Sequence, residues 1–451
     1  MFKNIKSIYF IGIGGISMSA LARIFHARGI KVYGIDAQDS SLIHELENEG
    51  MVIRVGEKAT SFVKVCDAVV YTSAVSNENC DLLLAKKLNK PIFSRAEILG
   101  MLSKEFNTIS VAGSHGKTTT TGMIANSLLQ TQKEPTIHIG GILNNINSNV
   151  HLGKSKLFVT EACEYKDNFL KLKNFVSVVL NVEEDHLDYF GNINNIFKSF
   201  NKFIKNTSKN GIVVYNFDKN YKKLKIPKNA ISFGLNDGAD VQAKKIKNKK
   251  GKFSFNLYYL NKKYGRIYLS VYGKHNILNA LATCATCIFL GLSFKEIKRG
   301  IESFQGIERR FEVLSDKKSL IFHDYAHHPQ EIQSCLKTCK DINRKKKIIT
   351  IFQPHTFTRT RDLYQEFLNC FSLSDEVWLL PIYPAREAPI ENISSLNLSN
   401  DLAKMGKQSR YFSNFQECLL EINKNDNKDK TIALLGAGDI YDLAKMLKNQ
   451  V

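Results

Sequence analysis

The chain has 451 residues, 43% apolar and 24% charged, with 27 glycines and 8 prolines, a globular composition that excludes disordered and collagen-like classes. At about 100–200 residues per domain, the length implies two to four domains. Lysine and arginine number 63 against 43 acidic residues, a formal net charge of +20. Such a balance suits nucleic acid, a membrane surface or small anions. The densest basic runs, Lys244 to Lys252 and Arg344 to Lys347, carry no RRM, zinc-finger or helix-turn-helix signature and read as solvated decoration, leaving anionic small molecules as the favoured partners.

No run reaches the roughly 18 uncharged apolar residues of a membrane span. The nearest, Ile277 to Leu292, contains Asn279 and two threonines and is expected to be a buried helix. The N-terminus runs straight into a β-like segment without an apolar leader, so a cytoplasmic protein is expected. Nine scattered cysteines point to free thiols, and Cys284-x-x-Cys287, inside the apolar run, reads as core.

Ser7 to Ile13 reads as a strand, Ser17 to Arg28 as a helix and Lys31 to Asp36 as a second strand, a βαβ opening. Gly12-x-Gly14-Gly15-x-Ser17 with Asp36 approaches the dinucleotide fingerprint, with Ser17 where the third glycine belongs. It is read as bringing a helix N-terminus against a diphosphate, which need not be NAD. Further strands follow at Ala68 to Tyr71 and Pro91 to Phe93, and a boundary falls after Lys104.

The next unit begins with the strand Asn107 to Val111. Gly113-Ser-His-Gly-Lys-Thr-Thr-Thr120 follows directly and opens a helix, although the first glycine of the usual phosphate loop is replaced by Val111. Backbone N–H groups of such a loop cradle a triphosphate, Lys117 reaches the β- and γ-phosphates, and Thr118 binds Mg²⁺. Glu161 ends one later strand and Asn181-Val-Glu-Glu-Asp-His186 ends the next. In a parallel sheet both arrive at the edge that carries the loop, which makes Glu161 and His186 candidate metal ligands. Asp237 to Tyr272 alternates and is Lys-rich, as in a small antiparallel excursion. Asn276 and Asn279 then share one face of a helix start, where they either read an adenine edge or cap the helix.

After Gly306 a third α/β pattern shows strands at Ser319 to His323, Lys347 to Phe352, Glu376 to Pro381 and Thr431 to Leu435. Asp324-Tyr-Ala-His-His-Pro329, Gln353-Pro-His-Thr-Phe-Thr-Arg-Thr-Arg361 and Tyr383-Pro-Ala-Arg386 sit at strand ends, where His and Arg suit carboxylate or phosphate recognition. The fold class is α/β, with three units at 1–104, 105–308 and 309–451.

Together these motifs, with His275-Asn-Ile-Leu-Asn-Ala280, Arg309-Arg-Phe311 and Phe352-Gln-Pro-His355, resemble the Mur ligases along the whole chain. The resemblance implies a Rossmann-like UDP-binding domain, a central ATPase domain and a C-terminal Rossmann-like domain that brings the amino acid. The Phe352 to Arg361 stretch is similar to the alanine-adding members. It implies an ATP- and Mg²⁺-dependent ligase that joins L-alanine to the carboxylate of UDP-N-acetylmuramate through an acyl phosphate, in peptidoglycan precursor synthesis. The alternatives are a relative that recycles murein tripeptide, an NAD-dependent dehydrogenase and a P-loop protein acting on nucleic acid. The preferred reading has no nucleic-acid partner and is a monomer or homodimer.

By the same resemblance, Gly14, Gly15, Asp36, Ser73 and Arg95 line the uridine diphosphate site. Gly113, Ser114, His115, Gly116, Lys117, Thr118, Thr119, Asn276, Asn279, Arg310 and Asp324 contact ATP. Thr118 holds Mg²⁺, Glu161 and His186 hold a second Mg²⁺, and Lys117, His186, His327 and Arg359 are catalytic. Two departures stand out. Thr356 occupies a position where many relatives carry Arg, so Arg361 or Arg386 is expected to supply that charge. Glu161-Ala-Cys-Glu-Tyr replaces a more acidic stretch, which leaves Glu164 a secondary group; the carbamylated lysine of several relatives is not assigned to Lys198 or Lys202.

Overall fold

Ile8, Tyr9, Phe10 and Ile11 are almost wholly buried, as expected of a strand covered on both faces of a parallel sheet. In the computed structural model, which describes residues 4–218, 221–317, 319–424 and 429–450, they belong to β1 (Ser7–Ile11). With β2 (Lys31–Asp36), β3 (Val52–Val55), β4 (Ala68–Tyr71) and β5 (Ile92–Ser94) it forms an all-parallel sheet of order β3-β2-β1-β4-β5. The helix Ile16–His26 buries Met18, Leu21, Ile24 and Phe25. The chain reverses its winding between β1 and β4, the switch point at which α/β sheets open a crevice.

The central sheet contains β6 (Asn107–Ala112), β7 (Thr136–Leu143), β8 (Ser148–His151), β9 (Leu157–Glu161), β10 (Asn174–Val179), β11 (Thr207–Asn216), β12 (Ile231–Gly234), β13 (Val241–Lys249), β14 (Lys252–Tyr259) and β15 (Lys262–Tyr272). Its order is β15-β14-β13-β12-β11-β10-β6-β9-β7-β8. β6 lies between β10 and β9, parallel to both, so the three carboxyl ends converge. The Lys-rich stretch, expected as a small antiparallel excursion, forms three long strands, β13 to β15, at one edge of this sheet. The expected apolar helix spans Asn276–Phe289, with Cys284 and Cys287 buried and free.

The last sheet has β16 (Glu312–Ser315), β17 (Leu320–Asp324), β18 (Lys347–Phe352), β19 (Glu376–Leu379), β20 (Gln408–Tyr411) and β21 (Lys430–Leu435), in the order β16-β17-β21-β18-β19-β20. Only β16 is antiparallel to its neighbour. The chain divides into two compact units, one of Met1–Lys245, Asn256–Ile267 and Ile277–Gln305, the other of Ile246–Phe255, Tyr268–Asn276 and Gly306–Val451. Among the described residues no helix is long and apolar enough to cross a membrane.

Candidate functional site

The loop after β6 is braced from the neighbouring strand end. Asn181, just beyond β10, accepts from the His115 N–H (2.8 Å) and donates to the His115 carbonyl (3.0 Å). Ser114 Oγ accepts from the Glu183 N–H at 3.0 Å. Gly116 caps the helix Lys117–Leu129 with φ +84, and a Cβ there would lie 2.7 Å from Asn279 Oδ1, so both backbone and space require glycine. Gly113, also at positive φ, completes the turn. Thr118 and Thr119 follow in the first turn of the helix, whose unpaired N–H groups favour an anion.

Lys117 Nζ donates to Glu164 Oε1 at 2.9 Å and to the carbonyls of Gly113 (2.5 Å) and Ser114 (3.2 Å). Burial disfavours the ammonium, but the Glu164 carboxylate more than offsets this and raises the Lys117 pKa. Glu164, secondary in the sequence reading, is therefore the partner of the phosphate-loop lysine. Asn279 lies against the loop, whereas Asn276 starts its helix and donates to the Tyr272 carbonyl at 2.6 Å.

Glu161 at the end of β9 accepts from the Thr118 hydroxyl (3.0 Å) and the Gly140 N–H (2.7 Å). His186 stands in the left-handed region at φ +51 and caps a short helical turn, with the Tyr165 ring 4.5 Å away. Such a backbone costs a non-glycine residue roughly 1–2 kcal/mol and recurs at functional sites. Glu164, Asp185 and His186 bring ligand atoms within 4.8 Å of one another, and Glu164 Oε2 is buried with no hydrogen-bond partner. Two carboxylates and one imidazole form a donor set that fits a divalent cation, which would satisfy the orphaned oxygen. The structure thus groups His186 with Glu164 and Asp185, and Glu161 with Thr118.

At the first sheet's switch point, Asp36 Oδ2 accepts from the Gly14 N–H at 2.9 Å, which fixes the glycine turn. Gly15 is the exposed N-cap of the following helix. Ser73 is exposed in the turn after β4, and Arg95 opens the helix after β5, donating to Ser17 Oγ at 3.2 Å. The residues assigned to the diphosphate therefore share one carboxyl edge.

In the second unit Asp324 ends β17 and accepts from the N–H groups of Phe311 (2.7 Å) and Ala326 (2.8 Å). Burial raises its pKa to about 6 against the pull of Arg310. The Arg310 guanidinium lies over the Tyr325 ring at 5.2 Å. His327 Nδ1 lies 2.9 Å from the Tyr325 carbonyl, which cannot donate, so Nδ1 carries the proton and Nε2 is the basic nitrogen. Burial also lowers the His327 pKa, overriding Glu331. Its ring is 5.9 Å from that of His355, whose Nδ1 is 3.0 Å from Arg359 Nη1. His355, absent from the residues singled out by sequence, links His327 to Arg359 and stacks on Tyr383. Thr356 adopts φ +67, ψ +145, a region nearly confined to glycine, and accepts from the Arg359 N–H. Arg361 is exposed and paired with Asp362 at 2.8 Å, and Arg386 is exposed. The Arg359 guanidinium lies against His355, one residue before Thr356.

The family models described as "Mur ligase family, catalytic domain", "Mur ligase middle domain" and "Mur ligase, glutamate ligase domain" match residues 7–107, 111–287 and 309–438. The chain is 42% identical over 449 residues to the UDP-N-acetylmuramate–L-alanine ligase of Caldanaerobacter subterraneus subsp. tengcongensis, covering 98% of this chain and 97% of that one. The enzyme of the same name from Clostridium kluyveri is 41% identical over 452 residues, covering 99% and 98%. The crystal structure of UDP-N-acetylmuramate-alanine ligase MurC from Thermotoga maritima superposes with a TM-score of 0.85 at 27% identity, over 99% of each chain. A murein peptide ligase from Psychrobacter arcticus, at 22% identity and TM-score 0.73 over 98% of each chain, shares the fold. Sheet order, phosphate loop and end-to-end identity agree that the chain belongs to the Mur ligase family.

Proposed function

We propose that the chain joins L-alanine to the carboxylate of UDP-N-acetylmuramate, converting ATP to ADP and phosphate, in the cytoplasm. The observation that carries this reading is the 42% identity, over 98% of the chain, to a ligase named for that reaction. Nine free cysteines are in keeping with a reducing compartment.

A carboxylate is a poor electrophile and must be activated. One oxygen of the muramate carboxylate attacks the γ-phosphorus, the bond to the bridging oxygen breaks, and ADP leaves an acyl phosphate. The Lys117 ammonium and the N–H groups of the Gly113–Thr118 loop offset the charge that spreads over the transferring group. Thr118 would hold one Mg²⁺, and Glu161 and His186, with Glu164 beside His186, would hold a second, which together would supply further positive charge there. The amine of L-alanine then attacks the acyl carbon, and inorganic phosphate leaves. His327 Nε2 takes the amine proton, and the Arg359 guanidinium balances the oxyanion of the tetrahedral intermediate. Asn279, Arg310 and Asp324 hold ATP, while Gly14, Gly15, Asp36, Ser73 and Arg95 hold the uridine diphosphate.

Phosphate release from ATP and UDP-N-acetylmuramate, measured with L-alanine, glycine, L-serine or murein tripeptide, tests the reading. L-Alanine should drive release in step with ligated product. Turnover with the tripeptide alone would move the chain to the recycling branch, and NAD reduction without ATP would make it a dehydrogenase.

A further inference from the structure

Ser17 stands where the dinucleotide fingerprint carries its third glycine, and the function above leaves its hydroxyl unused. It is half-buried at the second position of the helix Ile16–His26, two residues after the N-cap Gly15. Its Oγ lies 2.9 Å from His138 Nε2 and 3.2 Å from Arg95 Nη1. The same His138 nitrogen is 3.2 Å from the Ser17 carbonyl, and His138 Nδ1 is 2.9 Å from Thr160 Oγ1.

The Ser17 carbonyl cannot donate, so Nε2 carries the imidazole proton. Nδ1 then accepts from the Thr160 hydroxyl, which lies nearer to it than to the Glu161 carbonyl at 3.3 Å. His138 is buried, and that burial, reinforced by Arg95, depresses its pKa to about 4, so the ring is neutral near pH 7 and holds a single proton. Ser17 Oγ then accepts from Arg95 and from the Nε2–H of His138, which it shares with the Ser17 carbonyl. Its own proton is left to donate, and among the described residues it has no acceptor. The helix cannot drift from this arrangement, because Asn149 donates to the Ile16 carbonyl (2.5 Å) and to Ser19 Oγ (2.9 Å) while accepting from Arg23 (3.1 Å).

We propose that Ser17 is a substrate-binding residue that donates its hydroxyl hydrogen to the diphosphate, and that His138 is the positioning residue that turns the hydroxyl toward it. The inference rests on the UDP-substrate reading. It adds a donor that a glycine at this position lacks, and it assigns a role to a histidine more than a hundred residues away on β7.

Calorimetric binding of UDP and of uridine to the full-length protein tests it. Ser17→Ala and Ser17→Gly should each bind UDP about tenfold more weakly, the loss of one hydrogen bond to a charged group, with uridine binding unchanged. Ser17→Thr should bind UDP as the native chain does. His138→Leu should show the Ser17→Ala defect and raise the KM for UDP-N-acetylmuramate without moving that for ATP. His138→Gln, whose amide N–H reaches toward Ser17, should recover most of the loss. Ser17→Ala combined with His138→Leu should be no worse than either alone. Undiminished UDP binding in Ser17→Ala, or equal losses for UDP and uridine, overturns the inference alone. Additive losses in the double variant overturn the role of His138. Failure of the native chain to bind UDP overturns the substrate reading and this inference together.

Discussion

Lys117 and Glu164 form an ion pair of 2.9 Å in which the carboxylate side chain is 2% exposed and its second oxygen has no hydrogen-bond partner. The phosphate-loop lysine is thereby held by a carboxylate 47 positions along the chain, just beyond the neighbouring strand β9. Its ammonium stays charged despite burial, as transfer of a polyphosphate's terminal group requires.

Lys117→Ala should abolish turnover and leave UDP-substrate binding intact, because the diphosphate cradle belongs to the first sheet. The transition-state loss should be several kcal/mol, or about 10²–10⁴ in kcat. The same substitution strands a buried carboxylate, so the melting temperature should fall as well, by the equivalent of about 3 kcal/mol. Adding Glu164→Gln to Lys117→Ala should restore stability but not activity. Thermal melts and phosphate release separate the two effects, and near-normal turnover in Lys117→Ala would remove the loop from the chemistry.

The metal set makes a second forecast. Glu161→Gln, Glu164→Gln and His186→Ala should each raise the Mg²⁺ concentration needed for half-maximal turnover. Pairwise combinations should lose less than the product of the single effects, since groups serving one ion act as a unit. Direct titration with Mn²⁺ followed by electron paramagnetic resonance reads the same site without turnover. Strictly multiplicative losses would mean that the three side chains act separately.

How much of this was written in the sequence depends on whether the signal is local. The βαβ opening, the loop Gly113 to Thr120 and the strand-end positions of Glu161 and His186 are contiguous patterns with their own spacing, and they appear where the periodicity puts them. Residues that act across the fold left no such trace. His138 meets Ser17 from 121 positions away, and Asn181 braces His115 from 66 away. Nothing in either local segment encodes those contacts. Arg361, expected to supply positive charge near Thr356, is exposed and paired with its neighbour Asp362. An adjacent opposite charge was the one available warning. His355 lay inside a motif that was read as a block, and only the 3.0 Å approach to Arg359 shows that it is the member linking that block to His327.

Acid stability should reveal the buried histidines. Burial lowers the pKa of His138 and His355 to about 4 and that of His323 to about 3. An unfolded chain protonates near 6.5, so between about pH 6.5 and 4 it binds more protons than the native one, and stability falls as pH falls. Asp324 opposes this. Its native pKa of about 6 lies above the unfolded value, so the native state takes up the extra proton in that window, and stability falls as pH rises through 6. His138 alone should contribute on the order of 3 kcal/mol of pH dependence. In thermal melts from pH 7 to pH 5, His138→Gln should flatten the loss of stability and Asp324→Asn should steepen it. Opposite signs would show that these groups are not desolvated as the structure places them.

The order of bond making tests the chemistry itself. If the muramate carboxylate attacks ATP, one of its oxygens must finish in inorganic phosphate. Reaction of carboxylate-¹⁸O substrate with ATP, Mg²⁺ and L-alanine should release phosphate carrying one labelled oxygen, seen by mass spectrometry; uncoupled hydrolysis takes its oxygen from water and carries none. His327, with Nδ1–H directed to the Tyr325 carbonyl, has only Nε2 to accept the amine proton, and Arg359, tied to His355, lies in the same cluster. Both serve the second step in this scheme. His327→Ala and Arg359→Ala should therefore still form the acyl phosphate, trapped as a hydroxamate by hydroxylamine, while ligated product falls about 10²-fold or more. His327→Gln should trap equally well and ligate as poorly, because an amide cannot take up the proton. Unlabelled phosphate from the native enzyme during productive ligation would overturn the mechanism. Loss of hydroxamate in both variants would move His327 and Arg359 to the phosphoryl-transfer step, where their positive neighbours would act on the leaving ADP instead of the attacking amine.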